Sequence, residues 1–329
     1  MPRTLIAGGA GFIGLHVARA LVSRGHEIDL LDSFSRAVKD SDLKEFLEVP
    51  GVRLLQLDLA TEPLEHLDTG YDYIIHLAAL LGVRNVRQRP FEVLALNHTM
   101  TERAVALACR QKHLARFLFS STSEVYAGTL RYFGMPIPTP ESTPLTVDDP
   151  AEPRTSYMLS KIHGEALCRY SGLPYSIFRV HNAYGPRMGL SHVIPELLRK
   201  AHELASGGGL EVYSPTHRRT FCYVADIAEF IVRILEIPAC TGETLNIGTE
   251  SPDISMAELG ALVLRIAGRD APVIALPPSP GSPEKRAPDM SRTTRLTGYR
   301  ASTDLATGVR LTYEWYSRNV FAGAGVSAV

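Results

Sequence analysis

The 329-residue chain sets 34 Lys and Arg residues against 35 Asp and Glu residues, a formal net charge of −1, so no overall field draws it to nucleic acid or an anionic membrane. A hydrophobic content of 45% and a charged content of 21% suit a globular protein with a sizeable core and exclude a disordered or fibrous chain. No apolar run reaches the ~18 residues of a membrane span. The first strand and its glycine loop begin within the opening residues and leave no room for a signal peptide. The cysteines Cys109, Cys168, Cys222 and Cys240 form no Cys-x-x-Cys and read as reduced, mostly buried thiols of a cytoplasmic protein.

Short apolar runs at residues 4–7, 28–31, 52–57, 73–77, 117–120 and 175–179 are too continuous for one-sided strands and predict fully buried ones. Amphipathic stretches between them predict helices at 12–24, 91–111 and 156–169. This alternation implies an α/β protein with a doubly wound parallel sheet. From about His181 the rhythm breaks. A helix is expected over 193–204, a turn at Gly207–Gly209, a strand over 210–213, a helix over 224–235 and a buried strand over 244–247. The remainder reads as less regular, with a proline-rich stretch at 276–283 and a loosely ordered tail from 322 to 329. Such pieces suit a smaller, discontinuous C-terminal domain capping the carboxyl ends of the strands, where open α/β sheets bind ligands.

Gly8, Gly11 and Gly14 follow the first predicted strand and open the first predicted helix, which begins with Phe12 and Ile13. The spacing provides a tight turn, backbone close enough to touch a pyrophosphate, and close helix–strand packing, with the phosphates at a helix N-terminus. Asp32 ends the second strand, where a carboxylate accepts from a ribose hydroxyl and repels a 2′-phosphate; this favours NAD over NADP, while Arg36 nearby keeps NADP open. Asp58 and Leu59 after the third strand, and Leu77, Ala78 and Ala79 after the fourth, fall at further strand ends across which a cofactor can lie. His76 reads as structural. No metal is called for.

Tyr157 and Lys161 share one face of the predicted helix over 156–169. An ammonium beside a phenol favours phenolate, so Lys161 is expected to lower the Tyr157 pKa towards neutrality and make it a general base for a sugar hydroxyl.

These motifs occur in one order with Phe119-Ser-Ser-Thr-Ser-Glu-Val-Tyr126, Asn182-Ala-Tyr-Gly-Pro-Arg-Met188 and Arg219-Thr-Phe-Cys-Tyr-Val-Ala-Asp226. The set resembles the extended short-chain dehydrogenase/reductases that modify nucleotide sugars. The resemblance implies a Rossmann-type NAD-binding domain over 1–181, with 222–248 returning to it, and a nucleotide-sugar-binding domain from 182–221 and 249–329. It further implies oxidation of sugar C4 with NAD: Thr122 bonding the C4 oxygen, Tyr157 taking its proton, Lys161 binding the nicotinamide ribose and Asn97 near the cofactor. Asn182, Arg219 and Arg286 would grip the nucleotide diphosphate and ribose, with Val193 and Tyr213 also contacting substrate. Arg218 beside Arg219 reads as a solvated charge. A homodimer built on the helices at 91–111 and 156–169 is part of the same implication.

Glu124, two places after Thr122, resembles UDP-glucuronate decarboxylases, as do Pro153-Arg154 and Lys285-Arg-Ala-Pro-Asp289. In that reading Glu124 orients the ring or relays a proton, with Ser123 assisting. A UDP-sugar 4-epimerase, an NDP-sugar 4,6-dehydratase and a non-catalytic NAD-binding regulator are the alternatives. Met158-Leu-Ser after Tyr157, Leu190-Ser-His-Val193 and an insertion over 127–140 depart from the decarboxylase pattern; Glu124 as a buried acid capping the following loop also stays open.

Overall fold

Apolar runs with no polar face need cover on both sides, and the computed structural model, which describes residues 1–205, 207–278 and 283–322, supplies it. The chain opens with β1 (Arg3–Ala7), α1 (Phe12–Val22), β2 (Glu27–Asp32), α2 (Ser41–Leu47), β3 (Val52–Gln56), β4 (Tyr73–His76), α3 (Val83–Gln88), α4 (Pro90–Cys109) and β5 (Arg116–Thr122). It continues through α5 (Ala127–Phe133), α6 (Thr155–Tyr170), β6 (Tyr175–Val180), β7 (Ala183–Tyr184), α7 (Val193–Glu203), β8 (Leu210–Tyr213), β9 (Arg218–Arg219) and β10 (Cys222–Tyr223). Then come α8 (Val224–Glu236), β11 (Thr244–Ile247), β12 (Ile254–Ser255), α9 (Met256–Ile266), β13 (Val273–Leu276), β14 (Lys285–Arg286), α10 (Ser291–Thr297) and α11 (Leu305–Tyr316).

The central sheet runs β11-β6-β5-β4-β1-β2-β3 with every pairing parallel. This is a Rossmann-type fold. Neighbouring residues of β1 serve opposite faces: Ile6 packs with Leu15 and Leu21 of α1 and Ile227 and Ile231 of α8, while Leu5 packs with Ala104 and Leu107 of α4. The order reverses between β1 and β4, and ligands of open α/β sheets bind outside the strand ends at such a point. A third apolar cluster joins Leu197 and Leu198 of α7, Leu210 and Val212 of β8, Leu259 and Val263 of α9, and Val309 of α11.

The remainder after β11 is more regular than its sequence suggests. α9 carries a reciprocal capping box between Ser255 and Glu258, and α11 is N-capped by Asp304, which accepts from the Thr307 amide. The insertion folds as α5 and a return segment pinned by Thr129, whose hydroxyl donates to the Pro144 carbonyl at 2.5 Å, and by Thr139, whose amide donates to the Ala287 carbonyl at 2.9 Å. Within the proline-rich stretch, residues 279–282 lie outside the described residues, as does the tail from 323 to 329. Cys168, Cys222 and Cys240 are buried free thiols, and Cys109 is exposed. Among the described residues no helix is long and apolar enough to cross a membrane.

One arginine fixes the glycine loop from outside it. Arg187, held at φ 68°, donates from Nε to Asp40 Oδ2 at 2.7 Å, from Nη1 to the Ala10 carbonyl at 3.0 Å and from Nη2 to the Val38 carbonyl at 3.0 Å. Asp40 in turn caps α2 through the Leu43 amide at 2.9 Å. Both members of the ion pair are buried, so removing the cation strands a carboxylate in the interior. Arg187→Ala is expected to cost about 3–5 kcal/mol in urea unfolding. A loss below about 1 kcal/mol, the scale of a surface pair, would show that this contact does not brace the loop.

Candidate active site

The cofactor cleft begins where β1 ends. Gly8 sits at φ 81°, and a Cβ there would meet the Ala78 amide nitrogen at 2.8 Å, so only glycine lets the loop lie against the end of β4. A Cβ at Gly14 would run into the Gly8 carbonyl oxygen. No side chain caps α1 at Gly11, which leaves the helix N-terminus, with Phe12 and Ile13, as backbone amides suited to a phosphate. Asp32 accepts from the Ala10 amide at 3.1 Å and the Phe34 amide at 2.9 Å, which fixes the carboxylate at the loop; burial raises its pKa against those bonds. Asp58 turns the chain after β3 by accepting from the Ala60 amide at 2.8 Å, and Leu59 is buried beside it. Leu77, Ala78 and Ala79 remain partly exposed at the end of β4. A tight backbone cradle, an acid at the second strand end and small residues at the fourth together fit a dinucleotide.

Asn97 spends its amide on this rim: Oδ1 accepts from the Leu80 amide at 2.7 Å and Nδ2 donates to the Leu80 carbonyl at 3.0 Å and to Ser160 Oγ at 3.3 Å. It positions the cleft wall. His76 is structural in the same sense, buried with Nε2 at 3.2 Å from Thr101 Oγ1 and driven down to about 3 by burial and the Lys161 charge.

Thr122, Tyr157 and Lys161 come together at the end of β5 and the first turns of α6. The expected lowering of the phenol is not found. Burial raises the Tyr157 pKa first, and the Glu124 carboxylate raises it further; Arg36 and a Thr122 hydrogen bond pull the other way without prevailing. Lys161 Nζ instead donates to the Ser120 carbonyl at 2.8 Å, lies 5.8 Å from the Tyr157 ring centre, and is itself lowered to about 8 by burial. The protein alone therefore holds Tyr157 as a neutral phenol. Arg36 contributes to this balance because its charge acts on both Asp32 and Tyr157, and burial lowers its own pKa.

Glu124 is clamped. Arg286 Nη1 donates to Oε1 at 2.6 Å, and Arg154 reaches Oε2 from Nε at 2.9 Å and from Nη2 at 2.5 Å. Burial opposes ionisation, but Arg286 and Arg154 outweigh it and hold the carboxyl at about 2. A proton-relay role does not fit an acid held this firmly as an anion, and it braces a side-chain cluster instead of only capping a loop. Arg286 Nη1 also reaches Ser123 Oγ at 3.4 Å. Arg219, on β9 beside β14, is lowered to about 10 by burial and then by Arg286 and Arg154, with Glu124 acting against them. Three guanidinium groups around one carboxylate make this corner positive and suit an anionic substrate.

The outer predicted residues are more scattered. Asn182, at φ 41°, donates from Nδ2 to the Thr220 carbonyl at 2.8 Å and joins β6 to the strand bearing Arg219. Val193 opens α7 half-exposed, and Tyr213 ends β8 half-exposed under Lys200 Nζ, so neither is drawn into the Glu124 cluster. Arg218 is tied to Asp253 at 3.0 Å. Sequence reasoning missed the roles of Arg154 and Arg187; both lie in motifs it singled out, but only the fold shows which acids they meet.

Residues 4–248 match the NAD dependent epimerase/dehydratase family. The chain belongs to that family. It is an NAD-dependent enzyme of nucleotide-sugar modification by this membership. It is 29% identical to a UDP-N-acetyl-alpha-D-glucosaminuronate decarboxylase of Bacillus cytotoxicus, over 95% of this chain and 97% of that protein. It is 32% identical to UDP-glucuronic acid decarboxylase 6 of Arabidopsis thaliana, over 95% of this chain and 88% of the plant protein. The fold superposes with TM-score 0.83 and 26% identity on UDP-glucuronic acid 4-epimerase from Bacillus cereus, solved with UDP-glucuronic acid and NAD, covering 96% of this chain and 99% of that one.

The Glu124 clamp has a sign that can be measured. A carboxyl lowered from 4.5 to about 2 contributes stability that is complete above 4.5 and is lost as pH falls from there towards about 2. In urea titrations between about pH 5 and pH 3, wild type should lose stability more steeply than Glu124→Gln. Identical slopes would mean that the pairing does not exist in solution.

Proposed function

We propose that this enzyme is a UDP-glucuronate decarboxylase: it oxidises C4, releases the carboxyl group as carbon dioxide and reduces C4 again to leave a UDP-pentose. The observation that carries the reading is Glu124, held as an anion between Arg154 and Arg286 beside Thr122 and Tyr157. Two relatives named as uronate decarboxylases support it.

The residues of the glycine loop, Asp32 and the 77–79 segment would hold the NAD, and Lys161 its nicotinamide ribose. NAD, when bound, takes the C4 hydrogen with its electron pair and later returns it. Thr122 bonds the C4 oxygen, and Tyr157 accepts the hydroxyl proton as the phenolate, after its own proton has passed to solvent. The resulting 4-keto acid breaks its C5–C6 bond, the electron pair passing into the C4 carbonyl as an enolate while carbon dioxide leaves. C5 then takes a proton, and Tyr157, a neutral phenol in the resting site, is suited to return its own to the C4 oxygen. The net reaction consumes one proton. Arg219 and Arg286 supply positive charge for the diphosphate, and Glu124 holds Arg286 and Arg154 in place.

A second reading has its own support. A uronate carboxylate must compete with Glu124 for Arg154 and Arg286, which favours a neutral sugar and 4-epimerisation. The enzyme works in the cytoplasm in either case, as a homodimer across α4 and α6, where Phe91 and Leu94 leave apolar surface on α4.

NMR of products from a panel of UDP- and dTDP-sugars separates the readings: carbon dioxide and a UDP-pentose from UDP-glucuronate support decarboxylation, and a C4 epimer with its carboxylate or hydroxymethyl group intact refutes it. Tyr157→Phe should keep NAD and lose at least about a hundredfold in turnover; wild-type turnover would remove Tyr157 from the chemistry. Glu124→Gln should slow carbon dioxide release far more than it weakens NAD binding, and equal rates in both forms would leave Glu124 without a part in the reaction.

A further inference from the structure

Among the described residues several buried polar atoms have no hydrogen-bond partner, and one of them, His181 Nδ1, lies beside the proposed sugar site at a recess that the insertion helps to wall. A recess of about 10 Å³, room for roughly one hydroxyl-sized group, is bordered by Ser123, Leu130, Met135, Thr139, His181 and Arg286. Ser123 and Arg286 belong to the Glu124 cluster, so the recess adjoins the centre just described. Leu130 lies on α5 and Met135 just after it, so the insertion supplies its apolar side.

His181 is 1% exposed, and its Nδ1 has no hydrogen-bond partner among the described residues. The surrounding bonds fix which tautomer it adopts. Asn246 Nδ2 donates to the Thr139 carbonyl at 2.9 Å and the Asp289 carbonyl at 3.3 Å, which leaves Oδ1 as an acceptor. Arg179 Nη1 donates to the Tyr126 hydroxyl at 2.7 Å, and that hydroxyl donates onward to Asn246 Oδ1 at 3.1 Å. His181 Nε2, 3.0 Å from the same oxygen, must therefore carry the ring proton. Nδ1 keeps a lone pair. Burial drives the imidazole down to about 3, so it stays neutral, and Nδ1 can only accept. A buried acceptor with no donor is costly unless something supplies one.

We propose that this recess is a subsite for a hydrogen-bond-donating substituent of the substrate sugar, a hydroxyl or an amide N–H accepted by His181 Nδ1, with α5 setting its size. The inference rests on the proposed nucleotide-sugar chemistry and names a selectivity element within it. An ionised carboxylate has no proton to offer Nδ1, so the subsite orients a uronate by one of its hydroxyls and turns the carboxylate away.

Two variants test this from opposite walls: His181→Phe removes the acceptor but keeps an aromatic ring beside Tyr126, and Leu130→Phe fills the recess and leaves His181 intact. Calorimetric titration of the NAD-loaded enzymes with UDP, UDP-glucose, UDP-glucuronate and UDP-N-acetylglucosamine provides the readout. Both variants should bind UDP and NAD as wild type does, yet bind the preferred UDP-sugar about tenfold more weakly. If both bind that sugar like wild type, or if a crystal structure with it shows only a water in the recess, the subsite is refuted while the function stands. If wild type binds no UDP-sugar better than UDP, the proposed function falls and takes the subsite with it.

Discussion

The ion pair between Glu124 and Arg286 joins the two halves of the site. Glu124 lies just beyond β5, the strand that delivers Thr122, and Arg286 lies on β14, which pairs with the Arg219 strand after the chain has left the central sheet. The backbone bonds between Thr139 and Ala287 and between Asp289 and Thr139 support the same segment. The carboxylate also shapes the electrostatics of its neighbours. It stabilises two guanidinium groups, tempers the repulsion felt by a third and raises the nearby phenol.

Proton affinity in the cleft follows from burial first and charge second. Lys161 is too deeply placed, and too committed to the Ser120 carbonyl, to acidify Tyr157 across 5.8 Å to the ring centre. The cation that does act on the phenol is Arg36, from the loop after β2. Its charge acts on both Asp32 at the glycine loop and Tyr157. A resting site of this kind stores a proton on the phenol, and the proposed reaction requires that proton to leave before C4 can be oxidised.

The inner strands were legible as apolar runs buried on both faces, a pattern that Leu5 and Ile6 illustrate by packing into opposite clusters. The edge strand β3, by contrast, is exposed at Arg53 and Gln56 and is not the fully buried strand its sequence predicts. Gly8 was legible because the close approach of its loop to Ala78 demands glycine. Glu124 was legible as a residue of interest but not as a clamped anion, since its partners lie 30 and 162 residues away and nothing local announces them. The same holds for Arg187, whose left-handed backbone and reach to Asp40 exist only after α2 has docked. Helix α5 hid within a segment rich in turn-forming residues, while α9 advertised itself through Ser255 and Glu258. The subsite at His181 needed a four-residue hydrogen-bond chain to fix one tautomer, and no spacing rule encodes that.

The central claim is that the reaction passes through sugar C4. UDP-glucuronate carrying deuterium at C4 tests it most directly, with the label followed by NMR into the product formed by the NAD-loaded enzyme. Deuterium found on the nicotinamide in mixtures quenched during turnover, and then at C4 of a UDP-pentose that has lost the carboxyl carbon, is the result predicted. Deuterium that never appears on the nicotinamide while product forms, or substrate recovered unchanged under turnover conditions, would contradict it.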